Sequence, residues 1–317
     1  MSWLPVAKSF VLALASTVLL SLFGAAIPVA GLLLMPLAPQ PVLTFGLRHG
    51  RIKAAGVLFL ATAWITYLGG RELGLGYFLL ALMVVLLFLS LGREWSIERV
   101  VASTAAGMLA ALAAALFWLF GSLSEIQQGV RAALTENVDA SLDLYDQIGF
   151  SSQGVALLRE SAPQIIETVL KILPAIAFAG FVTVVLVNLF FLVRRFPERH
   201  SFLSAGADLK EWRAPEFLIW FFILAGFALF VPGAEAVKIW VLNVFLVIVL
   251  FYFFHGLSIV AYYFHHKHIP YFLRSLVYLL IVFEQLCTLL VVVLGLFDLW
   301  GDFRRLNKKD LSADRVS

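Results

Sequence analysis

Charged side chains are scarce in this sequence: Asp, Glu, Lys and Arg make up 14% of its 317 residues. Soluble domains carry about 25%. With 62% of residues hydrophobic, a globule of this size could neither hide its apolar surface nor coat it with charge. A soluble enzyme and a disordered tail protein are thereby excluded. Cysteine is rarer still. Cys287 stands alone, which excludes an intrachain disulfide and a thiolate metal cluster; inside an apolar run it reads as a small hydrophobe. Enzymatic signatures are missing too. There is no G-x-x-x-x-G-K-[ST], no G-x-S-x-G, no H-E-x-x-H and no Rossmann fingerprint. The sequence therefore predicts neither an enzyme nor a bound cofactor. A net charge of +3 gives no reason to expect a nucleic-acid partner.

What is present is a series of long apolar runs. A bilayer core of about 30 Å needs about 20 helical residues, and the runs predict an all-α polytopic transmembrane bundle of eight or nine segments. The expected spans are 9–27, 28–47, 54–70, 77–92, 100–121, 165–193, 217–232, 239–264 and 272–297. The second contains Pro28, Pro36, Pro39 and Pro41 and should be broken. Irregular backbone at membrane depth survives only inside protein or beside a cavity, so this segment points to a pocket. All tryptophans except Trp64 fall near proposed span ends, where the interface favours them.

Two stretches are polar. Residues 122–164 carry six acids against Arg131 and Arg159, with apolar residues from Leu123 to Tyr145 at helical spacing. Residues 194–216 carry Arg194, Arg195, Arg199, Lys210 and Arg213. The positive-inside rule then puts the N-terminus in the cytoplasm and the acidic insert outside. The expected divisions are a six-span bundle, 1–193, containing the insert; a basic cytoplasmic loop, 194–216; C-terminal membrane helices, 217–300; and a polar basic tail, 301–317. One conflict follows. Three spans after the basic loop would leave the tail, with Arg304, Arg305, Lys308, Lys309 and Arg315, outside. A re-entrant element within 217–297 would remove the conflict.

Several stretches resemble the YybS-like family of uncharacterised bacterial integral membrane proteins: residues 36–50 (PLAPQPVLTFGLRHG), Trp212–Glu216, His255–Ile259 and 295–304 (GLFDLWGDFR). The resemblance implies a multi-pass protein of the bacterial cytoplasmic membrane and brings no catalytic residues. More distantly, residues 1–193 resemble the S-components of energy-coupling-factor transporters and the shape-determination protein MreD. Those likenesses imply either a small-molecule-binding or transport-related subunit without its own ATPase, or a scaffold acting through protein partners.

Candidate site residues follow from polarity within apolar runs. Glu284 and Gln285 lie at the middle of 272–297, where an ionisable group costs at least about 2.5–3.5 kcal/mol and should face protein or water. His255, Ser258 and Tyr262 share a helix face. With Asn188 and Asn243 they could line a polar pocket or simply bond between helices. Trp64 and Tyr67 stand beside the broken second span and suit a small-molecule pocket. Ser9, Ala13, Thr17, Ser21 and Ala25 form a small-residue stripe, a docking face for a membrane protein partner or an internal packing surface. The His265-His266-Lys267-His268 run reads as an interfacial loop, because adjacent histidines diverge and Lys267 repels a cation. Asp298, Asp302 and Arg305 are spaced for an ion-paired interfacial cap. The bilayer is the one certain partner.

Overall fold

The computed structural model describes residues 3–27, 31, 34–91, 93, 95–149, 151–196 and 210–304. Pro28, Arg305 and the rest of the tail lie outside them, as does most of the basic loop. Among the described residues the fold is all-helical. Five helices among them are long and apolar enough to cross a membrane, and the count reaches six when one bent pair is taken as a single span. One of the five, 41 residues long, is divided by a kink, so length and composition alone do not establish the expected eight or nine segments. Large apolar side chains such as Leu12, Phe59, Trp118, Phe227 and Phe272 are exposed, as lipid-facing positions should be.

The chain divides into two compact units. The first comprises Met1–Ile166 and Ala177–Gly206, the second Glu167–Ile176 and Ala207–Ser317. In the first unit, α1 (Trp3–Ala26) leads to a 3-10 turn (Met35–Leu37) and α2 (Gln40–His49). Next come α3 (Arg51–Leu91), α4 (Ile97–Phe120) and α5 (Leu123–Gln147). The core lies where α1, α2 and α3 meet, around Val42, Leu43, Ile65, Tyr77 and Leu87.

Gly70 interrupts α3 with φ 87° and ψ 169°, a conformation that glycine alone adopts readily. A Cβ on Gly74 would lie 3.1 Å from the Thr66 Cα. Residues eight apart on a straight helix are about 12 Å apart. The two arms of α3 therefore fold back on each other at the Gly69–Gly70 turn. Helix α5 opens with a side-chain cap, Ser122 accepting from the Glu125 N–H. Beyond the turn at Gly149 begins α6 (Ser152–Arg195); Arg159 pairs with Asp143 at 3.2 Å, so its first turns run back along α5.

In the second unit, α7 (Leu218–Phe230), α8 (Glu235–His266), α9 (Tyr271–Phe283) and α10 (Gln285–Gly301) pack around α8. Helix α7 has only 13 residues. Pro232 forces Val231 into extended backbone (ψ 132°), so 217–232 is not one continuous span-length helix. Helices α7 and α8 are antiparallel: Leu218 packs on the Tyr252 cluster, whereas a Cβ on Gly226 would meet Phe245. The expected 272–297 span is two helices bent by 99° at Glu284, whose backbone is extended (ψ 111°). The Thr288 hydroxyl donates to the Ile281 carbonyl, satisfying an acceptor that the end of α9 would otherwise leave open.

Candidate functional site

Proline chemistry explains two of the predicted polar residues. Proline lacks an N–H and so leaves a carbonyl one turn earlier without its donor. In the broken segment, Pro39 cannot serve the Pro36 carbonyl. The Asn188 side-chain amide serves it instead, at 2.7 Å. Thr17 Oγ1 likewise donates to the Ala38 carbonyl at 3.0 Å, a bond between Thr17 in the small-residue stripe and this break. Gln40 Nε2 donates to the Asn188 carbonyl at 2.7 Å. In α6, Pro174 opens the helix at the next residue. Asn243 fills the gap: its Oδ1 accepts from the Ala175 N–H at 2.9 Å and its Nδ2 donates to the Lys171 carbonyl at 2.7 Å. Both asparagines are buried; Asn243 spends its whole amide on backbone, and Asn188 its Nδ2, while its Oδ1 accepts from Gln40 Nε2 at 3.1 Å.

The other predicted residues separate. Trp64 is 50% exposed and Tyr67 81%; they touch each other edge-on at 6.2 Å on an outward face and line no enclosed space. Glu284 and Gln285 are exposed at the α9–α10 bend. Within the stripe, Ala13, Thr17 and Ser21 are buried in the chain's own core, Ser9 is half-buried and Ala25 exposed. The buried part of that surface packs on α2 and α3. The groove along α5, lined by Gln128, Arg131, Thr135, Glu136, Asp139 and Asp143, is open. Among the described residues, no three His, Cys, Asp or Glu side chains are grouped to hold a metal.

His255 alone leads to a charged site. It is 1% exposed, and Asp298 and Arg304 are each 2% exposed. The three come together because α8 and α10 cross at two glycines. A Cβ on Gly256 would meet the Val291 carbonyl at 1.8 Å, and one on Gly295 the Tyr252 carbonyl at 2.1 Å. These are backbone obstacles that cannot yield, so only glycine permits this approach. At the end of α10, Asp302 takes the left-handed conformation (φ 36°), which aspartate tolerates better than most residues. The chain then turns back, and the Phe303 N–H donates to Asp298 Oδ1 at 2.8 Å.

Arg304 thereby returns over α10. Its Nη2 lies 3.0 Å from Asp298 Oδ2 and 2.9 Å from His255 Nε2. Its Nη1 donates to the Lys210 carbonyl at 2.8 Å, the Trp212 carbonyl at 3.0 Å and Ser258 Oγ at 3.0 Å. His255 Nε2 also lies 3.0 Å from Asp298 Oδ2. Ser258 Oγ lies 2.8 Å from the Trp212 carbonyl and 2.7 Å from the His255 backbone carbonyl, and its one proton can serve either. The hydroxyl does not face the imidazole, so this is not a nucleophile–base arrangement. Burial pushes the Arg304 guanidinium down from its usual range, against the opposing pull of Asp298; Arg ordinarily titrates so high that it stays charged. Arg213 pairs with Asp302 beside the cluster.

Three nitrogens of this site are buried without a partner: His255 Nδ1, Trp212 Nε1 and Arg304 Nε. The Trp212 and His255 rings stand edge to face at 6.1 Å. Orphaned buried polar atoms are uncommon and ask for a reason. Sequence reasoning reached His255 and Ser258 through their helical spacing. It read Asp298 as an interfacial cap and paired it with Arg305. The turn at Asp302, which carries Arg304 back, could not be seen in a helical pattern.

A model of a family described as predicted membrane protein (DUF2232) matches residues 15–299 of this chain. No curated protein and no solved structure matches it.

Proposed function

The chain belongs to that family of predicted membrane proteins, and on that premise we propose that it is a small-molecule-binding or transport-related subunit whose working site is the His255–Asp298–Arg304 cluster. The observation that carries the reading is a buried carboxylate, imidazole and guanidinium with three further nitrogens unpartnered. Ionisable groups in membrane helices are costly, and they mark substrate and proton routes more often than plain packing.

The geometry gives the cluster two hydrogen-bonding states. With the imidazole proton on Nδ1, Nε2 accepts from Arg304 Nη2. With the proton on Nε2, it donates to Asp298 Oδ2 and Arg304 loses that acceptor. The groups facing the imidazole are Asp298 on α10, Arg304 beyond it and Trp212 ahead of α7. The Arg213–Asp302 pair lies alongside. Which ring nitrogen carries the proton thus changes what holds Arg304, and Arg304 holds residues 210–212. No nucleotide-binding motif occurs in the sequence, so energy would come from an ion gradient or a partner. The orientation that fits the basic residues has the N-terminus in the cytoplasm.

The test is a mass-spectrometric inventory of what the full-length protein retains in mild detergent, compared with Asp298→Asn. A small molecule retained near stoichiometry by the native protein and lost from the variant is expected. A stoichiometric protein partner with no small molecule would overturn the reading in favour of a scaffold.

A further inference from the structure

The bend at Glu284 has a direction. Helices α8 and α10 cross at Gly256 and Gly295. Toward the C-terminal end of each, Tyr263 Oη donates to the Phe303 carbonyl at 2.8 Å, so α8 and α10 run in the same sense. Helix α9 begins at Tyr271, five residues past the end of α8 at His266, and the Phe264 and Tyr278 rings meet at 5.5 Å. The α9–α10 pair therefore starts and finishes at one end of α8. Helix α9 has 13 residues, about 20 Å, too short for a core of about 30 Å.

That end of the unit is basic. It gathers Lys210, Arg213, Lys267, Arg274 and Arg304, and Arg304 ties the first of these segments to the last. Because α7 and α8 form an antiparallel hairpin, residues 210–216 and the end of α8 already share a side. A returning α9–α10 pair adds Arg304 to that side. Five described basic residues then share one side, against Lys238 at the start of α8 and Lys171 beside it, as the positive-inside rule favours; a crossing pair would carry Arg304 to the other side.

We propose that α9 and α10 form a re-entrant hairpin, entering from and returning to the basic cytoplasmic end, with its tip at Glu284 and Gln285 bathed in water within the membrane. The second half of the proposal follows from exposure. Glu284, Gln285 and Leu286 are uncovered by the chain, and backbone at the break cannot face lipid. A carboxylate there needs water or a small cation beside it. This inference uses the position of Arg304 and does not depend on the function proposed for the buried cluster.

Single cysteines test it in the full-length protein carrying Cys287→Ser, in sealed vesicles of known orientation. Lys267→Cys and Phe303→Cys should react with a membrane-impermeant maleimide from the same side, and Gly233→Cys from the other. Reaction of 267 and 303 from opposite sides would overturn the hairpin. At the tip, Glu284→Cys should react with a charged thiosulfonate at least about tenfold faster than Leu289→Cys, an exposed position four residues into α10 (in lipid the thiolate that reacts does not form). Equal, slow reaction at both would overturn the watered tip. The native Cys287, three residues from Glu284, gives a variant-free reading: rapid modification of the wild-type thiol supports the tip assignment and complete protection opposes it.

Discussion

Arg304 and Asp298 hold each other in a site where neither meets solvent. Removing one partner leaves the other charged and buried, which costs about 3–5 kcal/mol. Arg304→Ala and Asp298→Ala should each lower the unfolding temperature in detergent strongly. The double variant should fall well short of their sum, because residues in one network do not add. Thermal melts of the four proteins check this; additive losses would mean that the pair is not coupled. The same scale shows what a sequence hides. His255 and Ser258 were legible from their spacing on one helix face. Asp298 was legible as an acid near a span end. Its true partner was not, since Arg304 reaches it only through a left-handed turn at Asp302.

At the scale of elements, the prolines were legible and their consequences were not. Four prolines between 28 and 41 announce a broken segment, and the structure breaks there. Which side chains would repair it could not be read, because nothing in a sequence says whose carbonyl is orphaned. Asn188 and Asn243 therefore looked like pocket residues and prove to be backbone partners. A double-mutant cycle follows. Asn243→Leu alone leaves the Ala175 N–H and Lys171 carbonyl unserved, at a cost of about 1–3 kcal/mol. In a Pro174→Ala background the helix can close its own bond, and the same change should cost under about 1 kcal/mol. Equal losses in both backgrounds, read from thermal unfolding, would refute the repair role. The Glu284 bend was harder still to place: no proline or glycine marks it, and only the charge conflict in the topology hinted at a re-entrant element.

For the whole molecule, composition alone pointed to a membrane bundle, and five or six candidate spans and the family match agree. The number of crossings was less legible, since apolarity does not distinguish a spanning helix from a bent or short one. The central claim is that Arg304, held in the buried cluster by Asp298, holds residues 210–212 and so governs the basic end of its unit. Hydrogen–deuterium exchange on lipid-reconstituted protein tests it most directly, with intrinsic exchange rates corrected for. Residues 210–214 should exchange faster in Arg304→Gln and in Asp298→Asn than in the native protein. Native-like exchange of that segment in both variants would contradict the account.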